Sequence, residues 1–168
     1  MHAANLEIRD ENEEDAPALS ELSAQAFGPG RFGRAAYRIR EGVAPVSSLA
    51  LTAWLDNRLV GGIRFTAVIV GEERSALLLG PLVVDPVHKD KGYGKALVAE
   101  GLSRALRQGF HLVLLVGDMP YYGRFGFVQV PRGQITLPGP VDPRRLLSLE
   151  LHPGAVAGAI GLVQARRG

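Results

Sequence analysis

No cysteine occurs in the chain, which excludes disulfides, thiolate zinc sites and a cysteine nucleophile. Aromatic residues are sparse, at 7% with a single tryptophan, and none interleave with a basic stripe, so a nucleic-acid surface is not expected. Charge agrees with that exclusion: 19 Lys and Arg against 17 Asp and Glu leave a formal net charge of only +2. Long hydrophobic runs are also missing. No stretch approaches the roughly 18 unbroken apolar residues that read as a membrane span, and the acidic N-terminal region is unlike a secretory signal. The expectation is a cytoplasmic protein with neither membrane nor nucleic acid as partner and no metal site. A hydrophobic content of 46% over 168 residues suffices for one globular domain, 1–168, with a proper core.

The chain opens with a short predicted strand, Asn5 to Arg9. Asp10-Glu11-Asn12-Glu13 then offers a helix cap, and Ala16, Leu19, Leu22, Ala26 and Phe27 recur at helical spacing until Gly28-Pro29-Gly30 stops them. A second short helix is expected over Arg34 to Glu41. Three strands follow, Ser48 to Leu55, Leu59 to Val70 and Ser75 to Val84, joined by turns at Asp56-Asn57 and Gly71-Glu72-Glu73 as an antiparallel meander. The third contains Gly80-Pro81. Proline cannot donate to a ladder, so this strand must bulge or leave its neighbour there, opening the sheet beside Pro81.

From Leu82 to Lys95 the chain runs from an apolar strand through a basic, glycine-punctuated loop into a helix. That order builds an anion cradle, because the amides that open a helix have no intrahelical partner and the helix dipole adds partial positive charge. Lys89, Lys91 and Lys95 bring full charges to the same place. In the following helix Leu97, Val98, Leu102, Ala105 and Leu106 share one face, and Gly109 ends it. His111 to Val116 then reads as a buried strand. Strand, crossover helix and strand imply a parallel pair, so the fold class is α/β (α+β mixed): a mixed, mostly antiparallel sheet, splayed near Pro81 and flanked by helices. Beyond it come a short helix near Met119 to Arg124, a strand at Phe127 to Val130, a proline-rich passage, and a late strand carrying Leu147, Leu149 and Leu151. Ala155 to Val163 has no settled pattern.

Three kinds of phosphate loop compete for the cradle. A P-loop needs serine or threonine after Gly94-Lys95, where Ala96 stands, and an earlier glycine where Lys89 stands. A dinucleotide fingerprint fits Gly92-Tyr93-Gly94 but has Leu97 at its third glycine, and Asp118 lies further along than the usual ribose-binding acid, so a dinucleotide-binding protein stays as the weaker alternative.

The third is the acetyl-coenzyme A loop of the GNAT N-acetyltransferase superfamily, which the segment resembles through Val84, Pro86, Gly92 and Gly94 at the family's spacing. Lys89 replaces the usual arginine or glutamine, and Asp90 stands where glycine is common. A second block, Gly117-Asp118-Met119-Pro120-Tyr121-Tyr122-Gly123-Arg124-Phe125-Gly126-Phe127, has the family's tyrosine four residues before a glycine-phenylalanine pair, at Tyr122. The Tyr-Tyr-Gly-Arg-Phe-Gly-Phe run looks like one bacterial branch of predicted acetyltransferases.

This resemblance implies a GNAT-like fold and acetyl-CoA as co-substrate. Cofactor contacts would come from Leu82, Val83, Val84, Lys89, Asp90, Lys91, Gly92, Tyr93, Gly94, Lys95, Asp118 and Tyr122. The amides of Leu82 to Val84 would hold the pantetheine arm and the thioester, while Tyr122 would protonate the departing thiolate, with Tyr121 as its rival. The acceptor would be an amine of a small molecule or a protein, and a homodimer is left open. A coenzyme A binding module without turnover is the alternative from a different class. Asp118 reads more readily as a helix N-cap than as a base, Arg124 as a surface-packing residue, and His88 as a solvated loop residue. Phe27, Arg31 and Phe32, in and beside the loop Gly28 to Gly33, are the expected acceptor contacts, together with the C-terminal segment. Carboxylates are nearly absent from the strands between Leu49 and Val84, so the general base is left open, a water relay to backbone carbonyls or to a distant acid being one route.

Overall fold

The computed structural model describes residues 6–27 and 39–166. Its strands are β1 (Leu6–Asp10), β2 (Ala50–Leu55), β3 (Arg58–Val70), β4 (Glu73–Val84), β5 (Leu112–Val116), β6 (Val128–Gln129), β7 (Ile135–Thr136), β8 (Leu146–Glu150) and β9 (Gly161–Ala165). The helices are α1 (Ala16–Phe27), α2 (Tyr93–Arg107) and the single turn α3 (Met119–Tyr122). Of the helix expected over Arg34 to Glu41, Ile39 and Arg40 are helical and 34–38 lie outside the described residues. The loop from Gly28 to Gly33 lies outside them as well. No helix among the described residues is long and apolar enough to cross a membrane.

The main sheet runs β1-β2-β3-β4-β5-β8-β6. Every adjacent pair in it is antiparallel except β4 with β5. Asp56 and Asn57 both take positive φ, 50° and 65°, which is the tight hairpin that their short polar side chains tolerate between β2 and β3. Asn12 rather than Asp10 caps the entry to α1, its amide donating to Asp15 Oδ2 at 2.8 Å.

One face of the sheet packs on α2. Leu97, Val98 and Ala105 meet Ile63, Phe65, Leu77, Leu79, Val113 and Leu115, all buried. Leu106, expected on this face, is 56% exposed and lies outside the buried stripe. A Schellman motif ends the helix: Phe110 N–H donates to Ala105 C=O at 3.1 Å, Gly109 N–H to Leu106 C=O at 3.2 Å, and Gly109 takes φ 86°. Gly101 lets α2 approach β3 closely, because a β-carbon there would stand 2.3 Å from Phe65 Cε1. Gly101→Val should therefore destabilise the fold by about 2 to 3 kcal/mol, since Phe65 is fully buried and cannot yield without repacking its neighbours. The denaturation midpoint is the check, and an unchanged midpoint would contradict this packing.

The opposite face is covered in large part by the C-terminal segment whose pattern was unsettled. Val130, Ile135, Leu137, Leu146, Ala155, Ala159 and Val163 pack on Ala76, Leu78, Leu112 and Leu114. Ala155–Gly158 forms a 3-10 turn and 161–165 forms β9, which pairs with Val68–Val70 of β3 where β2 no longer accompanies it. Gln134 ties the segment together by donating to the carbonyls of Val156 and Ala159. On the same face as this segment, Leu19 and Leu22 of α1 cover Val83.

Candidate functional site

The sheet opens where the sequence expected. β4 and β5 pair only from Ala76 to Leu78 against Leu112 to Leu114, so Leu79 to Val84 have no partner on β5. The remaining residues of β5 stay paired with β8 instead. On its other side β4 bulges against β3: Ile63 faces Leu82 and Phe65 faces Leu79, which leaves Gly80 and Pro81 opposite Arg64 alone. The Gly80–Pro81 peptide is cis.

Alternation along β4 decides which amides face the opening. Asp85 N–H donates to Val60 C=O at 2.8 Å, making that pair a hydrogen-bonded one, and Val83 opposite Gly62 is the next such pair in the register. Val83 therefore directs its amide toward β3 and its side chain into the contact with α1. The amides of Leu82 and Val84 point the other way, into the parted side. This narrows the expected set of three donors to two.

The cradle lies at the end of β4. A 3-10 turn, Pro86–His88, is capped by Asp85, whose carboxylate accepts from Val87 N–H at 3.0 Å. Lys89, Asp90, Lys91 and Gly92 are exposed and lead into α2. The first bond inside that helix runs from Ala96 N–H to Gly92 C=O at 3.0 Å, so the amides of Gly92, Tyr93, Gly94 and Lys95 precede it and have no intrahelical partner. Asp90 takes φ 63° and Gly92 φ 84°, both left-handed, which gives a conformational reason for glycine at either position. His88 is not a solvated loop residue. Its side chain is 18% exposed, its ring lies 6.0 Å from that of Tyr93, and its Nδ1 stands 3.7 Å from Asp85 Oδ2 with no hydrogen-bond partner.

The tyrosine block stands across the opening. Asp118 holds the N-cap position of α3, but its side chain makes no capping bond; the carboxylate pairs with Arg145 Nη1 at 2.6 Å, while its backbone carbonyl accepts from Tyr122 N–H at 2.9 Å. Tyr122 turns inward, its ring 5.9 Å from Phe127, and a β-carbon on Gly117 would come within 2.6 Å of its Cε2. Burial pushes the Tyr122 phenol up from its ordinary pKa, Tyr121 and Asp118 push the same way, and Arg145 opposes them. Tyr121 turns outward. Its hydroxyl would stand 2.9 Å from a β-carbon on Gly94, and Arg124 lies over its ring at 4.8 Å, as a packing residue should.

Parted parallel strands, a glycine-lined helix start below them and two phenols opposite form a slot that can take an extended chain ending in an anion. The Acetyltransferase (GNAT) family model matches residues 10–127. The chain belongs to the GNAT acetyltransferase family. It is 29% identical over 159 residues to the uncharacterized N-acetyltransferase YhbS of Escherichia coli K12, covering 94% of each chain. It is 31% identical over 130 residues to the uncharacterized N-acetyltransferase YjhQ of the same organism, covering 76% of this chain and 71% of that one. The crystal structure of YhbS from Escherichia coli in complex with CoA superposes with a TM-score of 0.81 at 28% identity, covering 96% of this chain and 90% of that one. A GNAT family acetyltransferase from Brucella melitensis in complex with acetyl-CoA superposes with a TM-score of 0.61 at 28% identity, over 86% of this chain and 95% of that one.

Within this GNAT fold the structure brings Leu82, Val84, Gly94 and Tyr121 around one opening, with Tyr122 packed behind Tyr121 against Phe127. It keeps the side chains of Val83 and Asp118 engaged elsewhere. Sequence reasoning gave no role to Gly117, which admits the Tyr122 ring, or to Arg145, which holds Asp118 from 27 positions away. Gly117 had a local signal, since a glycine at the end of a buried strand marks a close approach. Arg145 had none.

Proposed function

We propose that the chain transfers the acetyl group of acetyl-CoA to an amine. The observation that carries this reading is the parting of β4 from β5 beside the start of α2, which turns the Leu82 and Val84 amides toward a slot ending at an anion cradle. An extended pantetheine arm would lie along β4 in place of the missing strand, and the diphosphate would meet the amides of Gly92 to Lys95.

In the reaction the neutral amine attacks the thioester carbonyl carbon, and the oxygen takes up negative charge that a free β4 amide stabilises. The carbon–sulfur bond then breaks with the electron pair on sulfur. The Tyr122 hydroxyl supplies the proton to that thiolate, and the proton lost from nitrogen passes to water before the phenolate is reprotonated. The acceptor is a small-molecule or protein amine. Thiol release with acetyl-CoA and a panel of small amines and peptides tests the reading. One acetylated amine per thiol released is expected; CoA binding without turnover on any amine would instead make the chain a non-catalytic CoA-binding module.

Asp90 sets the strength of the cradle. A carboxylate about 4 Å from a phosphate in water costs about 1 kcal/mol, or roughly a fivefold change in affinity. Asp90→Gly removes that charge and suits φ 63°, so the CoA dissociation constant should fall about fivefold by calorimetry. An unchanged constant would mean the carboxylate points away from the bound anion.

A further inference from the structure

The two adjacent tyrosines of α3 leave their shared turn in different directions. Their rings meet edge to face, 4.9 Å apart at 81°. Tyr122 goes to the core with Phe127, whereas Tyr121 crosses to the start of α2 and brings its hydroxyl over Gly94, beside Val84 Cγ2 and Leu82 Cδ2. Tyr121 is thus the side chain of α3 that spans the opening between the β5 end of the sheet and the cradle. Among the described residues none accepts a hydrogen bond from its hydroxyl.

Three features of that position favour an anion. Gly94 carries one of the four amides that open α2 without an intrahelical partner. Arg124, stacked 4.8 Å above the Tyr121 ring, fixes a cation within the same group of side chains. The phenol itself stays protonated, because burial raises its pKa although Arg124 pulls the other way. A protonated phenol near a helix start and a guanidinium can make a charge-assisted O–H to O⁻ bond, which is stronger than a bond to a neutral amide of the pantetheine arm.

We propose that Tyr121 binds the cofactor rather than serving its chemistry, its hydroxyl donating a hydrogen bond to the diphosphate of CoA at Gly94, beside the Arg124 charge. This rests on the CoA reading given above. It divides the tyrosine pair: Tyr121 holds the diphosphate, and Tyr122 faces the sulfur.

Tyr121→Phe keeps the ring contacts with Tyr122, Phe125 and Arg124 and removes only the hydroxyl. Calorimetry with CoA and with 3′-dephospho-CoA, both of which carry the diphosphate, should show dissociation constants about tenfold higher in the variant. S-acetylpantetheine, which lacks the diphosphate, should bind variant and unsubstituted protein alike, and the steady-state loss with acetyl-CoA should fall on KM. Equal affinity of the two proteins for CoA would overturn the proposal, as would an equal loss for acetylpantetheine. If the unsubstituted chain bound no CoA at all, the cofactor reading would fail first and this proposal with it.

Discussion

Gly94→Glu should abolish CoA binding, raising the dissociation constant by about a thousandfold. The first contribution is steric. A β-carbon at Gly94 would stand 2.9 Å from the Tyr121 hydroxyl, 3.4 Å from Val84 Cγ2 and 3.8 Å from Leu82 Cδ2, so the rest of a glutamate side chain must enter the slot or displace Tyr121. The second is electrostatic. A carboxylate about 4 Å from a phosphate costs about 4 kcal/mol at the effective dielectric of a partly buried site, which alone is close to a thousandfold. Acidic side chains in the first turn of a helix favour the helix, so the variant should fold, and a thermal melt near that of the unsubstituted protein confirms that the loss is local. Binding retained in a folded variant would overturn the placement of the cradle.

Tyr122→Phe should lower kcat by about a hundredfold to a thousandfold while leaving the CoA dissociation constant within about twofold, the range expected for loss of a positioned proton donor. Phenylalanine preserves the ring contact with Phe127 and the close approach to Gly117, so the effect isolates the hydroxyl. The pH profile follows from the direction of the shift. The acid form donates, and burial raises the pKa, so activity should show no alkaline loss from this group up to about pH 10, the ordinary phenol value. Thiol-release rates across pH measure both effects. A normal rate in Tyr122→Phe would end its role as the acid, and a paired result with Tyr121→Phe separates a defect in turnover from a defect in binding.

Much of the fold was legible because its signals are local. Asp56-Asn57 dictates a tight hairpin, Gly109 ends α2 through backbone geometry that a β-carbon disfavours, and Gly80-Pro81 interrupts β4 because proline has no N–H. The cradle was legible for the same reason, since Gly92 and Gly94 act within a few residues of the helix they open. Less legible were features set by partners far along the chain. Leu106 fits the apolar spacing of α2 but is left 56% exposed by the way the helix sits on the sheet. The irregular segment from Val130 to Val163 has weak periodicity, because short pieces joined by prolines bury single residues rather than continuous stripes. Asp118 has the residue type and position of a cap, yet Arg145 takes its carboxylate.

By itself, then, the sequence determined the order of elements as far as β6, the break in β4, the glycine-bounded start of α2 and, through the spacing of Val84, Pro86, Gly92, Gly94 and Tyr122, the GNAT family. Tertiary structure alone decided that Leu82 and Val84, and not Val83, turn their amides toward the opening, because hydrogen-bond direction depends on the register with β3. It also decided that the neighbouring tyrosines diverge, Tyr122 toward Phe127 and Gly117 and Tyr121 toward Gly94. Two residues on a single helical turn diverge by geometry, but which of them reaches Gly94 depends on where β5 and α2 are held by the sheet between them.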